Sequence, residues 1–521
     1  MKNINIAITG ATGNMGKQIL IQLLKMDEVK LIKILIPHKN KRFKIIKKIT
    51  KKYKNKVEFI HGLLDDKEAI ATLVKDVNYV LNMAAVIPPK SDKHPLDAYN
   101  CNYLGVKNLV ECIENIKVNQ PKLIHTSTVA VYGNRTYKHP YVRVGDPLLF
   151  SPLDVYALTK ARGEKEVLES SISSWTVIRQ TAMIYKELMM ANISDGLMFH
   201  TPFNSFLEWA SAEDSGILYA NIIKEDIKGN LNNTNFWKHI FNLGGGKKNQ
   251  ITGYDTLNIG FNIIGGSTKD FFKPNYDASR NFHGCWFKDS LVLDNMFHYI
   301  HDDYETYFNN IAKEHFYFSL AKILPKKLIG GLVIKPLLKD DNAPTYWVKN
   351  NNEAKIFATF YSKEYYESIG TDWNKFNLLN ENKDFNGNYI SLNEIRDNPS
   401  NYNLNYYYDI DKPYEEIDIN DLINVASAHG GKLLTKEFKK GDIYTKLEWL
   451  TQDGIKFVST PFTILKGGHW YNESYNDITW EFDRLAKKDK IYAQIWYDDH
   501  LQNEDVKYYC DKEFKSYLKK F

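Results

Sequence analysis

The sequence TGATGNMG at residues 9–16 limits what this chain can fold into more than any other segment does. The apolar run Ile4–Ile8 precedes it and is typical of a buried strand, and residues 17–26 follow it with the apolar spacing of an amphipathic helix. A glycine-rich turn between a strand and a helix directs backbone N–H groups at an anion on the helix N-terminus. We therefore interpret this segment as a dinucleotide-binding turn.

Residues 1–185 alternate apolar runs with helical patterns. This alternation predicts an α/β fold, namely a Rossmann-type, doubly wound parallel sheet with helices on both faces. The candidate strands are Ile4–Ile8, Leu31–Ile36, Val57–Ile60, Tyr79–Met83, Lys122–Thr126 and Thr176–Ile178. One more strand is expected at 241–243, because three glycines follow it.

The length of 521 residues predicts several domains. We expect residues 186–340 to form a smaller substrate-capping region, residues 341–417 a connecting segment, and residues 418–521 an extra α+β C-terminal module. The elements predicted for that module include a helix over 419–428, a helix near 480–488 and a strand over 490–496.

Composition excludes several classes of protein. A hydrophobic content of 43% and a net charge of only +5 predict a folded protein without a nucleic-acid partner, and the lysine-rich segment 39–56 is interpreted as a solvated helix face. Four cysteines without a CxxC pair predict neither disulfides nor a metal site and favour the cytoplasm. No run approaches the ~18 apolar residues of a membrane helix, and the first strand begins close to Met1, so we expect neither a membrane partner nor a signal peptide.

The sequence YALTK at 156–160 places a tyrosine and a lysine four residues apart, on one face of a helix. A free tyrosine has a pKa of ~10, too high for acid–base work at neutral pH, and a neighbouring ammonium lowers it. Thr128 follows a predicted strand and is placed to donate a hydrogen bond to a reacting oxygen. These three residue types suit general acid–base chemistry at a reacting oxygen.

Five segments, in this order, resemble the extended short-chain dehydrogenase/reductase family, its NAD-dependent epimerase/dehydratase group. They are TGATGNMG (9–16), NMAA (82–85), NYLGVKNL (102–109), TSTVAVYG (126–133) and YALTK (156–160). The resemblance covers about residues 1–250 and weakens toward 340. It implies an NAD(P)-dependent oxidoreductase.

The resemblance also implies a role for each matching residue. Tyr156 would be the general acid/base, and Lys160 would hold the nicotinamide ribose and lower the pKa of Tyr156. Thr128 would polarise the substrate oxygen. Asn102 would support a water-linked proton path or mark a helix kink. The residues implied to bind the cofactor are Gly10, Thr12, Gly13, Asn14, Met15, Gly16, His38, Leu64, Ala84, Ala85, Lys160, Gln180, Thr181 and Met183.

Departures from the family pattern bear on the ligands. The second strand ends in Leu35–Arg42, which contains basic residues and no carboxylate, so NADP is favoured over NAD. Gly62-Leu63-Leu64 lacks the aspartate that the family often carries near the adenine. The run Arg179–Tyr185 lacks the Asn-Val-Tyr-Gly-Pro-like sequence of nucleotide-sugar members, which disfavours such a substrate.

The C-terminal module resembles a treble-clef zinc domain that has lost its metal. Thr451, Ile455 and Tyr471 stand where ligands are expected, so no tetrahedral zinc site is predicted. His429 and His469 are interpreted as turn histidines, and the module as a packing or interaction unit.

Three functions follow in order of preference. The first is an NADP-dependent oxidoreductase that acts on a small-molecule substrate, with the aromatic residues between 199 and 347 suited to a bulky or apolar one. The alternative is a sugar epimerase or dehydratase that retains NAD. The second alternative is a non-catalytic dinucleotide-binding scaffold or sensor. The sequence does not determine whether the chain forms a homodimer.

Overall fold

A computed structural model describes residues 3–188, 196–232, 234–381, 390–471 and 479–509. In chain order the strands are β1 (Ile4–Thr9), β2 (Val29–Ile36), β3 (Val57–His61), β4 (Tyr79–Asn82), β5 (Lys122–Thr128), β6 (Tyr141–Val142), β7 (Trp175–Gln180), β8 (Ala182–Ile184), β9 (Phe206–Ser211), β10 (His239–Leu243), β11 (Gln250–Thr252), β12 (Trp286–Phe287), β13 (Lys432–Leu433), β14 (Leu447–Leu450), β15 (Lys456–Ser459), β16 (Thr479–Trp480) and β17 (Tyr508–Tyr509).

The helices are numbered in the same way. They are α1 (Asn14–Leu24), α2 (Phe43–Thr50), α3 (Lys67–Val74), α4 (Lys90–Lys93), α5 (Pro95–Ala98), α6 (Gly105–Glu114), α7 (Val155–Leu168), α8 (Ala212–Ile227), α9 (Gly253–Ile263), α10 (Thr268–Phe271), α11 (Leu291–Phe297), α12 (Tyr304–Glu314), α13 (Phe316–Ala321), α14 (Lys326–Ile329), α15 (Lys335–Leu337), α16 (Pro344–Lys349), α17 (Glu353–Phe360), α18 (Lys363–Ile369), α19 (Leu392–Asp397), α20 (Ile419–Ala428), α21 (Pro461–Leu465), α22 (Phe482–Lys488) and α23 (Lys490–Trp496).

The largest sheet has the strand order β10-β7-β5-β4-β1-β2-β3, and each neighbouring pair is parallel. The order reverses between β1 and β4, so a crevice opens outside the carboxyl ends of these two strands. Ligands of doubly wound sheets bind in that crevice. The predicted Rossmann-type α/β fold is confirmed.

Helices cover both faces of this sheet. On one face α1 packs against α8, where Ile19 and Leu23 share a core with Leu218 and Ile222. On the other face α3, α6 and α7 bury their apolar sides in a second core. Each fully buried Leu or Ile stabilises the fold by about 1.5–3 kcal/mol relative to an exposed one. β1 and β4, in the middle of the sheet, are therefore mostly apolar along their whole length, as expected of strands that are buried on both faces.

The C-terminal module shares a core with the sheet. Trp449 and Trp470 belong to the same buried cluster as Trp175 of β7, whose ring meets Phe462 edge-on at 5.6 Å. The predicted helix over 419–428 forms as α20. The domain boundaries themselves stay predictions.

The expected strand over 490–496 is wrong, because this segment is the helix α23. Asp489 caps it by accepting hydrogen bonds from the N–H groups of Ile491 and Tyr492 at 2.9 and 3.0 Å. Its buried residues are Ile491, Tyr492, Ile495 and Trp496, one side of a helix. The β-branched and aromatic composition favours a strand locally, and the cap and the tertiary burial override that preference.

No helix in the described ranges is long and apolar enough to cross a bilayer. In the same ranges, no group of three His, Cys, Asp or Glu residues is arranged to hold a metal ion.

Candidate active site

The glycine-rich turn packs too closely against its neighbours to carry side chains. A Cβ on Gly10, whose φ is +74°, would lie 2.6 Å from the Ala84 nitrogen, and one on Gly16 would lie 2.3 Å from the Gly10 carbonyl oxygen. Gly13 is the N-cap of α1, and no side chain caps this helix or places an acid in its first turn. The first N–H groups of α1, those of Asn14, Met15 and Gly16, have no partner within the helix. They form a cradle that fits a dinucleotide pyrophosphate.

The crevice beside this turn is fixed by hydrogen bonds between β1 and β4. The Thr9 hydroxyl donates to Asn82 Oδ1 at 2.6 Å and accepts from the Ala84 N–H at 3.1 Å. Asn82 Nδ2 lies 2.9 Å from His125 Nδ1 on β5. Ala84 and Ala85 are half-buried in the loop that follows β4. The loop is therefore held next to the cradle, where the family resemblance expects the adenosine half of the cofactor.

The basic turn after β2 lies against the glycine-rich turn. Asn40 donates from Nδ2 to the Thr12 hydroxyl at 3.2 Å and accepts from the Arg42 N–H at 2.9 Å. His38 is exposed and stacks on His61 at 5.7 Å. Thr12 and His38 are among the expected cofactor residues, whereas Asn40, which connects the two turns, is not.

The candidate acid–base pair lies at the carboxyl ends of β5 and β7. Thr128 is the register partner of Gln180, and Tyr156 lies in the first turn of α7. Burial raises the pKa of Tyr156 to about 12, a hydrogen bond with Thr128 offsets part of this rise, and the Asp154 carboxylate adds to it. The Thr128 hydroxyl and the Tyr156 phenol are thus hydrogen-bonding partners.

Lys160 lies one turn after Tyr156 on α7 and is only 2% exposed. Its ammonium donates to the Thr126 carbonyl oxygen at 2.6 Å. Burial lowers the pKa of Lys160 to about 8, against the raising effect of Cys101 and Glu164. The expected influence of Lys160 on the pKa of Tyr156 stays a prediction.

Asn102 lies in a π-helical turn, Tyr99–Leu104, that precedes α6. Its buried side chain accepts from the Val86 N–H at 2.8 Å and donates to the Val86 carbonyl at 2.9 Å and to the Thr159 hydroxyl at 3.1 Å. Asn102 thus ties the loop after β4 to the helix that carries Tyr156. This geometry supports the helix-kink interpretation, and the water-linked proton path stays a prediction.

The other expected cofactor residues lie at or after the carboxyl ends of β3 and β7. Leu64 is buried against Gly105, where a Cβ on the glycine would lie 2.4 Å from the leucine Cβ. Gln180 is 8% exposed; its Oε1 accepts from Ser215 at 3.2 Å, and its Nε2 is buried without a hydrogen-bond partner. Thr181 donates to the Glu208 carbonyl at 2.7 Å, and Met183 is half-buried at the edge of the core.

A fully buried ion pair lies beneath the acid–base residues. Glu164, one turn beyond Lys160 on α7, and Arg179 of β7 are both 0% exposed and are joined by bonds of 2.5 and 3.2 Å. Burial by itself raises the pKa of Glu164, but Arg179 and His469 outweigh it and hold this pKa well below its usual range. The pair is therefore fully charged inside the core.

The C-terminal module completes this ion pair. His469 Nε2 lies 3.0 Å from Glu164 Oε1, and Arg179 donates to the Gly467 carbonyl oxygen at 2.6 Å. Arg179 also donates to the Tyr132 hydroxyl at 2.6 Å. Burial lowers the pKa of His469, with Glu164 opposing the shift. The sequence analysis missed this network, because its members lie on four separate segments.

His429, the other histidine singled out in the module, is also buried. Its Nδ1 lies 2.6 Å from Asp489 Oδ2, and its ring stacks on Trp470 at 4.8 Å. Both histidines therefore lie in the core beside carboxylates.

A cavity of about 700 Å³ opens at the N-terminus of α7. Its walls come from residues within 88–95, 152–155, 197–200, 280–283 and 347–359, together with Tyr509. Asp154 lies at its edge; it caps α7 through the Ala157 N–H and pairs with His283 Nδ1 at 2.7 Å. Residues 347–359, which were expected to be a connector, thus line a cavity that begins one residue before Tyr156.

Residues 6–184 match the model of the NAD dependent epimerase/dehydratase family. This part of the chain belongs to that family. The matched region contains the glycine-rich turn, Thr128, Tyr156 and Lys160.

The curated relatives match only the N-terminal part of the chain. UDP-glucose 4-epimerase of Rickettsia bellii is 30% identical over 136 residues, which are 24% of this chain and 37% of that protein. The 3 beta-hydroxysteroid dehydrogenase/Delta 5-->4-isomerase of Monkeypox virus is 24% identical over 180 residues, which are 34% of this chain and 49% of that protein. The chain thus spans less than half the length of either relative.

Two solved structures resemble a larger part of the chain. dTDP-glucose 4,6-dehydratase from Bacillus anthracis, in complex with NAD, has 17% identity and a TM-score of 0.46 over 60% of this chain and 96% of that one. UDP-glucuronic acid 4-epimerase from Bacillus cereus, in complex with NAD, has 18% identity and a TM-score of 0.44 over 60% and 99%.

Proposed function

We propose that this protein is an NAD(P)-dependent oxidoreductase that interconverts a carbonyl and a hydroxyl group, with Tyr156 as the general acid/base. The observation that carries the proposal is the contact of Tyr156 with Thr128 at the edge of the sheet that also holds the glycine-rich cradle. The nicotinamide supplies or accepts the hydride when it is bound. Thr128 orients the substrate oxygen, and the phenol of Tyr156 gives it a proton in reduction or takes one in oxidation.

The cavity at the start of α7 is the proposed substrate site. Its volume of about 700 Å³ lies within the range of small-molecule sites, and its walls include the aromatic residues Phe282 and Trp347. These rings suit the bulky part of the expected substrate, and the charged Asp92, Arg280 and Lys355 line the same cavity. Val155, the residue before Tyr156, is among the residues that line this cavity.

The kcat/KM for carbonyl reduction and that for alcohol oxidation should depend on pH in different ways. A pKa of about 12 keeps the Tyr156 phenol protonated at neutral pH, so the acid needed for carbonyl reduction is present. Alcohol oxidation needs the phenolate, so its kcat/KM should rise with pH while that of reduction stays level. Both are measured as pH profiles with the same substrate pair. A level profile for oxidation would contradict Tyr156 as the base.

NADP is the proposed cofactor, because the basic turn after β2 is fastened to the glycine-rich turn through Asn40. We expect NADPH to stabilise the protein against heat more than NADH does. The variant Arg42→Glu should weaken NADPH binding by about tenfold or more, through loss of a charge-assisted contact with the 2′-phosphate. Lys52→Glu makes the same charge change at an exposed site beyond the C-terminal end of α2 and should leave the preference intact. Equal effects of the two variants would contradict this assignment.

A sugar epimerase or dehydratase that retains NAD is the second candidate. The similarity to UDP-glucose 4-epimerases favours it. A dehydratase needs further acid–base groups beside Thr128, and the next residues here are Val129 and Ala130, both buried and apolar. Identification of the dinucleotide released from the purified, denatured protein separates the candidates. Stoichiometric NAD would favour the epimerase, and an empty protein would favour the oxidoreductase.

A further inference from the structure

Five large apolar side chains are exposed close together on one segment outside the candidate active site. They are Leu320, Ile323, Leu324, Leu328 and Leu332, and their exposure ranges from 45% to 80%. We call them the 320–332 strip. Single exposed apolar residues need no explanation, but a cluster of this kind marks a binding surface.

Leu328 and Leu332 of the strip lie on a continuous helix, whereas Leu320 lies on α13, and Ile323 and Leu324 lie in the turn that follows α13. The helix formed by α14, the π-helical turn Gly330–Ile334 and α15 runs without a break. Its inner side packs in a core through Ile334 and Leu337, which are 2% and 9% exposed. Leu328 and Leu332 lie one turn apart on the other side. The apolar residues of the strip are therefore additional to those that the fold needs here.

The charged side chains of this segment are all basic. Between Glu314 and Asp340 the sequence contains lysines at 322, 326, 327, 335 and 339 and no acidic residue. All five lysines are exposed, and Lys326 pairs with Asp270 at 2.8 Å. Exposed leucines that alternate with lysines are the pattern of a helix that lies in the surface of an anionic bilayer.

We propose that the 320–332 strip binds the surface of an anionic lipid bilayer. The leucines and Ile323 would enter the boundary between headgroups and acyl chains, and the lysines would contact the lipid phosphates and carboxylates. The helix from Lys326 to Leu337 is about 18 Å long at 1.5 Å per residue, shorter than the ~30 Å hydrocarbon core, so it would lie along the surface. The sequence predicts no membrane partner because it contains no run long enough to span a bilayer. A contact with the bilayer surface does not need such a run.

A second copy of the chain is a poorer occupant. A two-fold interface places the same patch on both subunits, so the lysines of one strip would face the lysines of the other. A protein partner is disfavoured by the residue types as well. Binding hot spots are rich in Trp, Tyr and Arg, whereas the strip offers leucine and lysine.

The test is flotation of the full-length protein with vesicles of phosphatidylcholine alone or with added phosphatidylserine. We expect binding only when phosphatidylserine is present, and less of it at high salt. The variant Ile323→Ser/Leu332→Ser should lower the partition coefficient by about tenfold or more. The matched control Val118→Ser/Leu501→Ser alters residues that are 77% and 60% exposed elsewhere and should bind as the parent does.

Charge reversal provides an independent check. Lys322→Glu/Lys327→Glu keeps the apolar residues and should also abolish binding to the anionic vesicles. The proposal is overturned if the parent protein floats with neither vesicle, or if both strip variants float as well as it does. It is also overturned if Ile323→Ser/Leu332→Ser converts a dimer to a monomer in light scattering, because the strip would then be covered by a second copy. The outcome does not depend on the proposed reaction.

Discussion

Replacement of Tyr156 with Phe is expected to lower turnover by a factor of about 10²–10⁴, the usual contribution of a positioned general acid or base. The substitution removes the hydroxyl that Thr128 contacts and keeps the half-buried ring, so the fold should be unchanged. Cofactor affinity should stay within about twofold, because the cradle at the glycine-rich turn is untouched. The measurements are kcat under saturating substrate and the Kd of NADPH by fluorescence titration.

Tyr137→Phe is the matched control for this variant. Tyr137 is 38% exposed and lies outside the crevice, so the loss of its hydroxyl should leave kcat unchanged. Thr128→Val should lower kcat as well, because it removes the other hydroxyl of the pair. If Tyr156→Phe turns over as the parent does, the proposed acid/base is wrong and another group must move the proton.

The sheet could be predicted because its strands are local apolar runs. Six candidate strands and the one at 241–243 all occur, since burial on both faces leaves few polar residues within them. The strand predicted over 490–496 is wrong for the opposite reason. Its composition favours a strand, and only contacts outside the segment, such as the Asp489 cap and the burial of Trp496, make it a helix.

In the candidate site, too, local sequence patterns predict some residues, and tertiary packing alone determines others. Tyr156 and Lys160 lie four residues apart, so their spacing predicts that they share a helix face, and the family resemblance adds Thr128. The pairing of Glu164 with His469 joins residues that are 305 positions apart, and no local pattern indicates it. The cavity lining from 347–359 is likewise a product of tertiary packing. The sequence signals for this ion pair are a Glu one turn after Lys160 and an Arg within an apolar strand.

Glu164→Gln is expected to lower the free energy of unfolding by about 3–5 kcal/mol, because it leaves the Arg179 guanidinium buried without its counter-charge. Glutamine keeps the size of the side chain, so the loss reports charge and not a cavity. The measurement is equilibrium urea unfolding of the full-length protein. Glu111→Gln is the matched control, since it removes the carboxylate of an exposed ion pair with Lys67 and should have little effect.

The pH dependence of this loss identifies its origin. The pKa of Glu164 is lower in the folded than in the unfolded chain, so its contribution is fully present above the unfolded pKa of about 4.3 and is lost as the pH falls below that value. The difference between the parent and Glu164→Gln should therefore shrink in acid. A difference that is small at neutral pH, or that does not change in acid, would contradict a charged, paired Glu164.

The position of Glu164 gives this prediction a functional consequence. Its helix carries Tyr156 and Lys160, Arg179 immediately precedes Gln180, and Tyr132 lies in the turn that follows Thr128. His469 and the Gly467 carbonyl brace these three elements from the C-terminal module. His469→Ala should therefore lower the free energy of unfolding. It should also reduce kcat more than it changes KM, because His469 helps to position the acid–base residues and does not line the cavity at the start of α7. A loss of stability with an unchanged kcat would show that the C-terminal module stabilises the fold and does not position the acid–base residues.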